Sequence, residues 1–184
     1  MNKVLNVKRK DGIVLEVYLK ELDLSYINKI MELQNIVLQG LEDRQLYVPT
    51  NREEFISYLN SHGKILGCVT EEDELIAFGV YLKRGYDKSN YGYDVGIEGE
   101  ELLKVGHIDT TIVKEEYRGN SLQKIICKVL EEIGKEQGTP IMCATASPYN
   151  KFSVNTFIKL GYEIKADKIK YGGLRRYVLI KNTK

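Results

Sequence analysis

The sequence predicts a single α/β, or α+β, domain built around a mixed sheet, and three observations predict it. Residues 102–146 read as strand, amphipathic helix, strand, a crossover that implies a parallel pair. Short apolar runs separated by turn residues precede and follow that unit and read as further strands. The chain is 184 residues long, one domain's worth and enough to bury a substantial core. No repeat, linker or low-complexity tract divides it, so residues 1–184 are expected to form one unit.

The elements follow in order. The stretches VLNVKRK and IVLEVYLK meet at Asp11-Gly12, a hairpin turn pair. Leu24, Ile27, Ile30, Met31, Leu33 and Val37 fall near helical spacing, and Gly40 offers a stop. Asn51 with Glu54 three residues on forms a capping-box pattern that opens REEFISYLNSHG. KILGCVT and LIAFGVYLKR are strands around the acidic turn EEDE. From Gly85 to Glu101 the chain is rich in glycine, tyrosine and acid without a period, and connections of this length often carry function. LLKVGHIDTTIV is the next strand. Leu122, Ile125, Ile126, Val129, Leu130 and Ile133 then mark one face of a helix, with Asn120 as its N-cap and Gly138 and Pro140 beyond its end. PIMCATA reads as a strand buried on both faces. A last helix, KFSVNTFIKL, stops at Gly161, and YEIKADKI and LRRYVLIK close the chain around KYGG.

Composition excludes several functions. Twenty-seven basic against 26 acidic residues leave a net charge of +1, which gives no global field for nucleic acid or an anionic membrane. No apolar run is long enough to span a bilayer. The start, MNKVLNVKRKDG, lacks the apolar core of a secretory signal, so the expected location is cytoplasmic. Cys68, Cys127 and Cys143 are odd in number and far apart, with only two histidines in the chain. Buried reduced thiols are expected, not a metal site or a disulfide framework. An exposed edge strand near the C-terminus would allow a homodimer.

The stretch EEYRGNSLQKII, Glu115–Ile126, hands a loop to the start of the clearest helix. It reads in two ways. It is a capped surface helix, with Gln123 reaching back to the Asn120 amide. Equally, it is a phosphate cradle, because the first amides of a helix lack internal partners and the dipole adds positive charge. Context separates the two. The order Val113, Tyr117, Arg118, Gly119, Asn120, Ser121, Gln123, followed after a helix and a strand by Asn150, Ser153, Phe157, Gly161 and Tyr162, resembles the GNAT superfamily of acyl-CoA N-acyltransferases over residues 64–164.

That resemblance implies a mostly antiparallel mixed sheet with one splayed parallel strand pair, flanked by helices. It implies acetyl-CoA as co-substrate and an N-acetyltransferase acting by direct attack in a ternary complex. The pantetheine arm would pair with the backbone of Thr111, Ile112 and Val113; Arg118, Gly119, Asn120, Ser121, Leu122 and Gln123 would hold the pyrophosphate. Asn150, Ser153 and Phe157 would face the arm from the other side. For the base that deprotonates the amine, Asp109 is named first and His107 second, both on one strand face, with Glu98, Glu100 and Glu101 as a third choice. Phe157 stands where the family carries a tyrosine that protonates the leaving thiolate. Either the thiolate leaves unaided, or Tyr149, Tyr162 or Tyr171 serves, with Tyr149 taken first. The remaining account is an acyl-CoA-binding sensor without turnover. The acceptor is expected to be a small or peptide amine and not a carboxylic acid. Acids at Glu42, Asp43, Asp87, Asp94, Glu98, Glu100 and Glu101 would line the rim and draw it in, with Tyr86, Tyr91 and Tyr93 packing against it.

Overall fold

A computed structural model describes residues 2–183. Eight strands and four α-helices follow one another as β1 (Asn2–Lys8), β2 (Val14–Glu21), α1 (Ile27–Gln39), α2 (Arg52–Ser57), β3 (Gly63–Thr70), β4 (Leu75–Lys83), β5 (Val105–Val113), α3 (Leu122–Glu136), β6 (Ile141–Ala146), α4 (Lys151–Lys159), β7 (Glu163–Lys170) and β8 (Leu174–Asn182). All the strands join one sheet in the order β1-β2-β3-β4-β5-β6-β8-β7. The β5–β6 pair is parallel and the other neighbours are antiparallel.

Helices cover both faces of the sheet. Ile126 and Leu130 of α3 and Phe157 of α4 pack with Leu19, Leu66, Ile76 and Leu179. On the opposite face Ile30 and Leu33 of α1 and Phe55 of α2 pack with Ile65, Phe78 and Val80. This is why β4 reads as a continuous apolar run and not as an alternation: its residues from Leu75 to Leu82 are all buried. Burying a side chain such as Leu130 or Ile126 contributes about 1.5–3 kcal/mol each, and that burial fixes α3 against the sheet. The closest approach is at Gly79, where a Cβ would meet Ile126 Cγ2 at 2.4 Å and Leu130 Cδ1 at 3.2 Å.

The expected capping box is present: Asn51 Oδ1 accepts from the Glu54 amide at 2.8 Å, and Glu54 accepts from the Asn51 amide at 3.0 Å. The start of α3 differs from the sequence reading. Its N-cap is Ser121, in the left-handed region at φ 58°, not Asn120. Asn120 instead ties the loop to β1: it accepts from the Lys8 amide at 2.8 Å and donates to the Lys8 carbonyl at 2.8 Å. A carboxamide matches both halves of a peptide group, and a bond pair to a strand end outcompetes a single cap bond.

The parallel pair is short. Between β5 and β6 the pairing runs only from Val105–Ile141 to Ile108–Ala144. Beyond it β6 stays with β8 as far as Ala146, and β5 stays with β4 as far as Val113. The two strands therefore part. A register shift between Gly79 and Tyr81 at the β4–β5 ladder lies beside the fork, and such bulges bend and twist a strand.

Gly79→Ala is expected to destabilise the protein by about 1–3 kcal/mol, because Ile126 is β-branched, stiff and held on a helix. Urea titration should show a lower midpoint with an unchanged m-value; an unchanged midpoint would mean that α3 is not pressed against β4 at this point.

Candidate active site

A cavity of about 300 Å³ opens where β5 and β6 part. Asp109, Thr110 and Thr111 of β5 line one side, and Thr145 and Ala146 of β6 the other; Asn150, Ser153 and Phe157 close it from α4. Tyr47, Thr50 and Tyr58 come from the α1–α2 connection and α2 with its continuation, Tyr91 from the β4–β5 connection, and Tyr171 and Arg176 from the β7–β8 hairpin.

Asp109 is the anion at the fork. Its Oδ1 accepts from Arg84 at 2.7 Å and from the Tyr91 hydroxyl at 3.1 Å. Its Oδ2 has only a long approach from Thr110 Oγ1 at 3.5 Å, which leaves that oxygen able to accept a further proton donor. The hydrogen bonds continue across the fork. Tyr91 and Tyr171 hydroxyls lie 2.8 Å apart, and the Tyr171 hydroxyl is 3.1 Å from Thr145 Oγ1. A chain of polar groups thus joins the β5 wall to the β6 wall. Burial, and then the Asp109 charge, push the Tyr91 hydroxyl well above the usual tyrosine range, so it stays protonated and donates. Burial and Asp109 likewise push Tyr58 up to about 12. Arg84 also donates to Ser89 Oγ at 2.6 Å, which anchors the start of the β4–β5 connection.

His107 shares the face of Asp109 but not its surroundings. Its ring is fully buried and is absent from the cavity wall. Nε2 receives the Tyr91 amide at 3.2 Å, and Nδ1 lies 3.2 Å from the Leu82 carbonyl. The Tyr91 amide can only donate and the Leu82 carbonyl can only accept, which is the pairing of a ring protonated on Nδ1; Asn90 Oδ1, an acceptor 3.1 Å from Nε2, is served instead by the Gly92 amide at 2.8 Å. Burial, then the Arg84 charge, lower its pKa to about 3. The geometry is that of a neutral brace between β5 and the connection, with no lone pair left for a substrate.

The loop ahead of α3 turns through Gly119 at φ 96° and Ser121 at φ 58°. Among the described residues the amides of 119–124 find no acceptor. No atom stands within 4 Å of the Cβ that Gly119 lacks. Gln123 turns away from the helix start, donating to Thr111 Oγ1 at 2.9 Å and reaching Ser153 Oγ at 3.3 Å, so it spans the fork from β5 to α4. Leu122 is buried against the sheet. Arg118 is exposed and borders a second hollow with Lys10 and Lys114. Asn150 caps α4 through the Ser153 amide at 3.1 Å while also facing the cavity.

Residues 28–162 match the Acetyltransferase (GNAT) family. The chain belongs to this family. No curated protein matches the sequence. Solved structures share the fold at low identity. The structure of yncA from Salmonella typhimurium with its cofactor acetyl-CoA is 12% identical, with a TM-score of 0.69 over 91% of this chain and 94% of that one. An N-acetyltransferase from Staphylococcus aureus Mu50 is 14% identical, with a TM-score of 0.68 over 90% and 98%. The GNAT domain of S. lividans PAT is 13% identical, with a TM-score of 0.64 over 97% of each. GNAT acetyltransferases use acetyl-CoA as co-substrate.

Within the GNAT frame the expected residues divide. Asp109, Thr111, Asn150, Ser153 and Phe157 meet at the cavity. Ile112 is buried on the α1–α2 face and Val113 packs at the edge of the α3 face; the Lys114 amide bonds Ile76 of β4, so by the alternation of an antiparallel ladder Ile112 turns its main chain to β4 and Val113 turns its main chain to the fork. Tyr149 is 58% exposed and lies off the cavity wall. The Tyr162 hydroxyl is buried with no hydrogen-bond partner among the described residues, and its ring lies 5.1 Å from that of Phe157. Of the three tyrosines considered, only Tyr171 reaches the cavity. None of the expected rim acids lines it either: Asp94 pairs with Lys170 and Lys168, and Glu101 with Lys104. Glu54 was not expected there, and neither were Arg84, Tyr47 or Arg176. The Arg84–Asp109 pair links positions 25 residues apart, and local periodicity carries no signal for it. No helix among the described residues is long and apolar enough to cross a membrane.

Because folded His107 takes up its second ring proton only near pH 3, whereas an unfolded histidine takes it near 6.5, the unfolded state binds more protons below the latter value. Its contribution is complete above the unfolded value and is lost as pH falls through the window down to about 3. Stability should drop by about 1.4 kcal/mol per pH unit between about pH 6 and pH 5 beyond the slope of His107→Gln, compared by denaturant titration. Equal slopes would mean that the ring is solvated.

Proposed function

We propose that the chain is an N-acetyltransferase that moves an acetyl group from acetyl-CoA to a primary amine by direct attack in a ternary complex, with Asp109 as the base. The observation that carries this reading is the fork: β5 and β6 stop pairing after Ile108 and Ala144, and Asp109 follows at once on the cavity wall. Open main chain on β5 offers an extended ligand strand-like hydrogen bonds. The unpaired amides of 119–124 suit a pyrophosphate, and the open space beside Gly119 lets backbone approach it. Gln123 would leave Thr111 and Ser153 to admit an arm between β5 and α4. Acetyl-CoA supplies an acyl carbon activated as a thioester.

The protein's part is proton handling and placement. An alkylammonium with pKa about 10.4 must lose a proton before it attacks, and Asp109 Oδ2 is the acceptor free to take it, directly or through water. Arg84 and Tyr91 hold the other oxygen and fix the carboxylate's orientation. Main-chain N–H groups along β5 near Val113 are the donors for the oxyanion. A thiol of pKa about 8.5 is a tolerable leaving group. Tyr171, joined to Asp109 through Tyr91, is the cavity hydroxyl that can return a proton to it. Phe157 motivates a second reading, an acyl-CoA-binding sensor: ligand binding by the wild type without thiol release from any amine would select it.

Asp109→Asn should lower kcat/KM by about 10²–10⁴-fold, leave acetyl-CoA affinity unchanged, and recover rate steadily at higher pH as solvent deprotonates the amine. Free-thiol release measured against pH checks this. Wild-type turnover by the variant would remove Asp109 from the mechanism.

A further inference from the structure

The cavity contains a buried cation with no carboxylate in direct ion-pair contact among the described residues; the nearest acid acting on its charge is Asp43, from beyond that range. Arg176, on β8, is 4% exposed and lines the cavity. It donates to the Gln45 carbonyl at 2.7 Å and to the Arg175 carbonyl at 2.8 Å. Its guanidinium carbon lies 5.8 Å from the Tyr171 ring centre. Among the described residues no carboxylate comes within 4.0 Å of it. The cavity's other arginine, Arg84, has Asp109. Two carbonyls and a ring orient a guanidinium without neutralising it, and a guanidinium carries five N–H donors. Burial pulls Arg176 below the usual arginine range, yet arginine does not give up its proton in proteins. Removing such a charge from water without an anion is costly.

We propose that Arg176 receives a carboxylate of the acceptor, so that the substrate is a small amino acid or amino-acid-like amine and not a polyamine or a bare alkylamine. This rests on the transfer reading above and names its substrate class. The arrangement fits a molecule carrying both charges. Arg176 is held by the α1–α2 connection through Gln45 and stacks on Tyr171. Tyr171 in turn hydrogen-bonds Tyr91, which hydrogen-bonds Asp109. An amine near Asp109 Oδ2 and a carboxylate on Arg176 would lie along one wall. The fork geometry of guanidinium matches a carboxylate through two parallel bonds, and Arg176 and Asp109 line the same cavity of about 300 Å³.

The test uses the full-length protein with CoA present, so that binding is read apart from turnover. Free amino acids of increasing side-chain length, each beside its carboxamide, are titrated by calorimetry against wild type, Arg176→Gln and Arg176→Lys. At least one carboxylate should bind wild type about 10–100-fold tighter than its carboxamide. Arg176→Gln should erase that preference while leaving carboxamide and CoA binding as they were, and Arg176→Lys should restore part of it. Failure of every carboxylate to bind wild type, or equal loss of carboxylate and carboxamide binding in Arg176→Gln, overturns the assignment. Carboxylate binding without acetylation would leave the assignment standing and count against the transfer reading instead.

Discussion

Everything in this molecule that bears on function depends on hydrogen bonds that two neighbouring strands do not make. Parallel strands ordinarily continue together until both end. Here β6 is held by β8 and β5 by β4, so neither strand is left without a ladder when they separate after Ile108 and Ala144. The cost of parting is thereby confined to one side of each strand. It is further reduced by polar side chains that line the gap, Thr111 and Thr145 among them. A ligand that brings its own amides and carbonyls recovers what the separation gave up.

The remaining elements hold that gap open. Helix α3 is pressed against β4 at Gly79 and delivers its free amides to one end of the fork. The β4–β5 connection folds inward and becomes part of the wall: Asn90 and Tyr91 are buried, His107 braces the backbone there, and Arg84 spans from the end of β4 to Asp109. The β7–β8 hairpin closes the far side through Tyr171, a residue in the left-handed region at φ 51°. In the proposed reading, three segments remote in sequence supply the acceptor side of the cavity, while α4, with the start of α3 beside it, supplies the cofactor side.

The cofactor side was the legible part of the sequence. Periodicity located α3, the strand–helix–strand order required a parallel pair, and the spacing from Arg118 to Tyr162 pointed to the GNAT family. Those signals are local, because helix faces and turn residues act over a few positions. The acceptor side was not legible. The 85–101 connection has no period because its burial comes from single anchors, Asn90 and Tyr91, and not from a repeating face. Its acids looked like a rim, but Asp94 pairs with Lys168 and Lys170, Glu101 pairs with Lys104, and none of them lines the cavity. His107 looked like a base, yet burial leaves it a neutral brace. Asn120 had the composition of a cap, and a pair of bonds from the distant β1 strand claimed it. For Asp94, His107 and Asn120 the deciding partner lies far along the chain.

If main chain at the fork and at the mouth of α3 binds acetyl-CoA, hydrogen–deuterium exchange with and without acetyl-CoA reads those amides themselves. Exchange should slow in peptides covering residues 109–113 and 119–124, with β1, β2 and β7 unchanged. Binding of acetyl-CoA that leaves both segments exchanging as before, or protects only peptides elsewhere, would contradict that mode of binding.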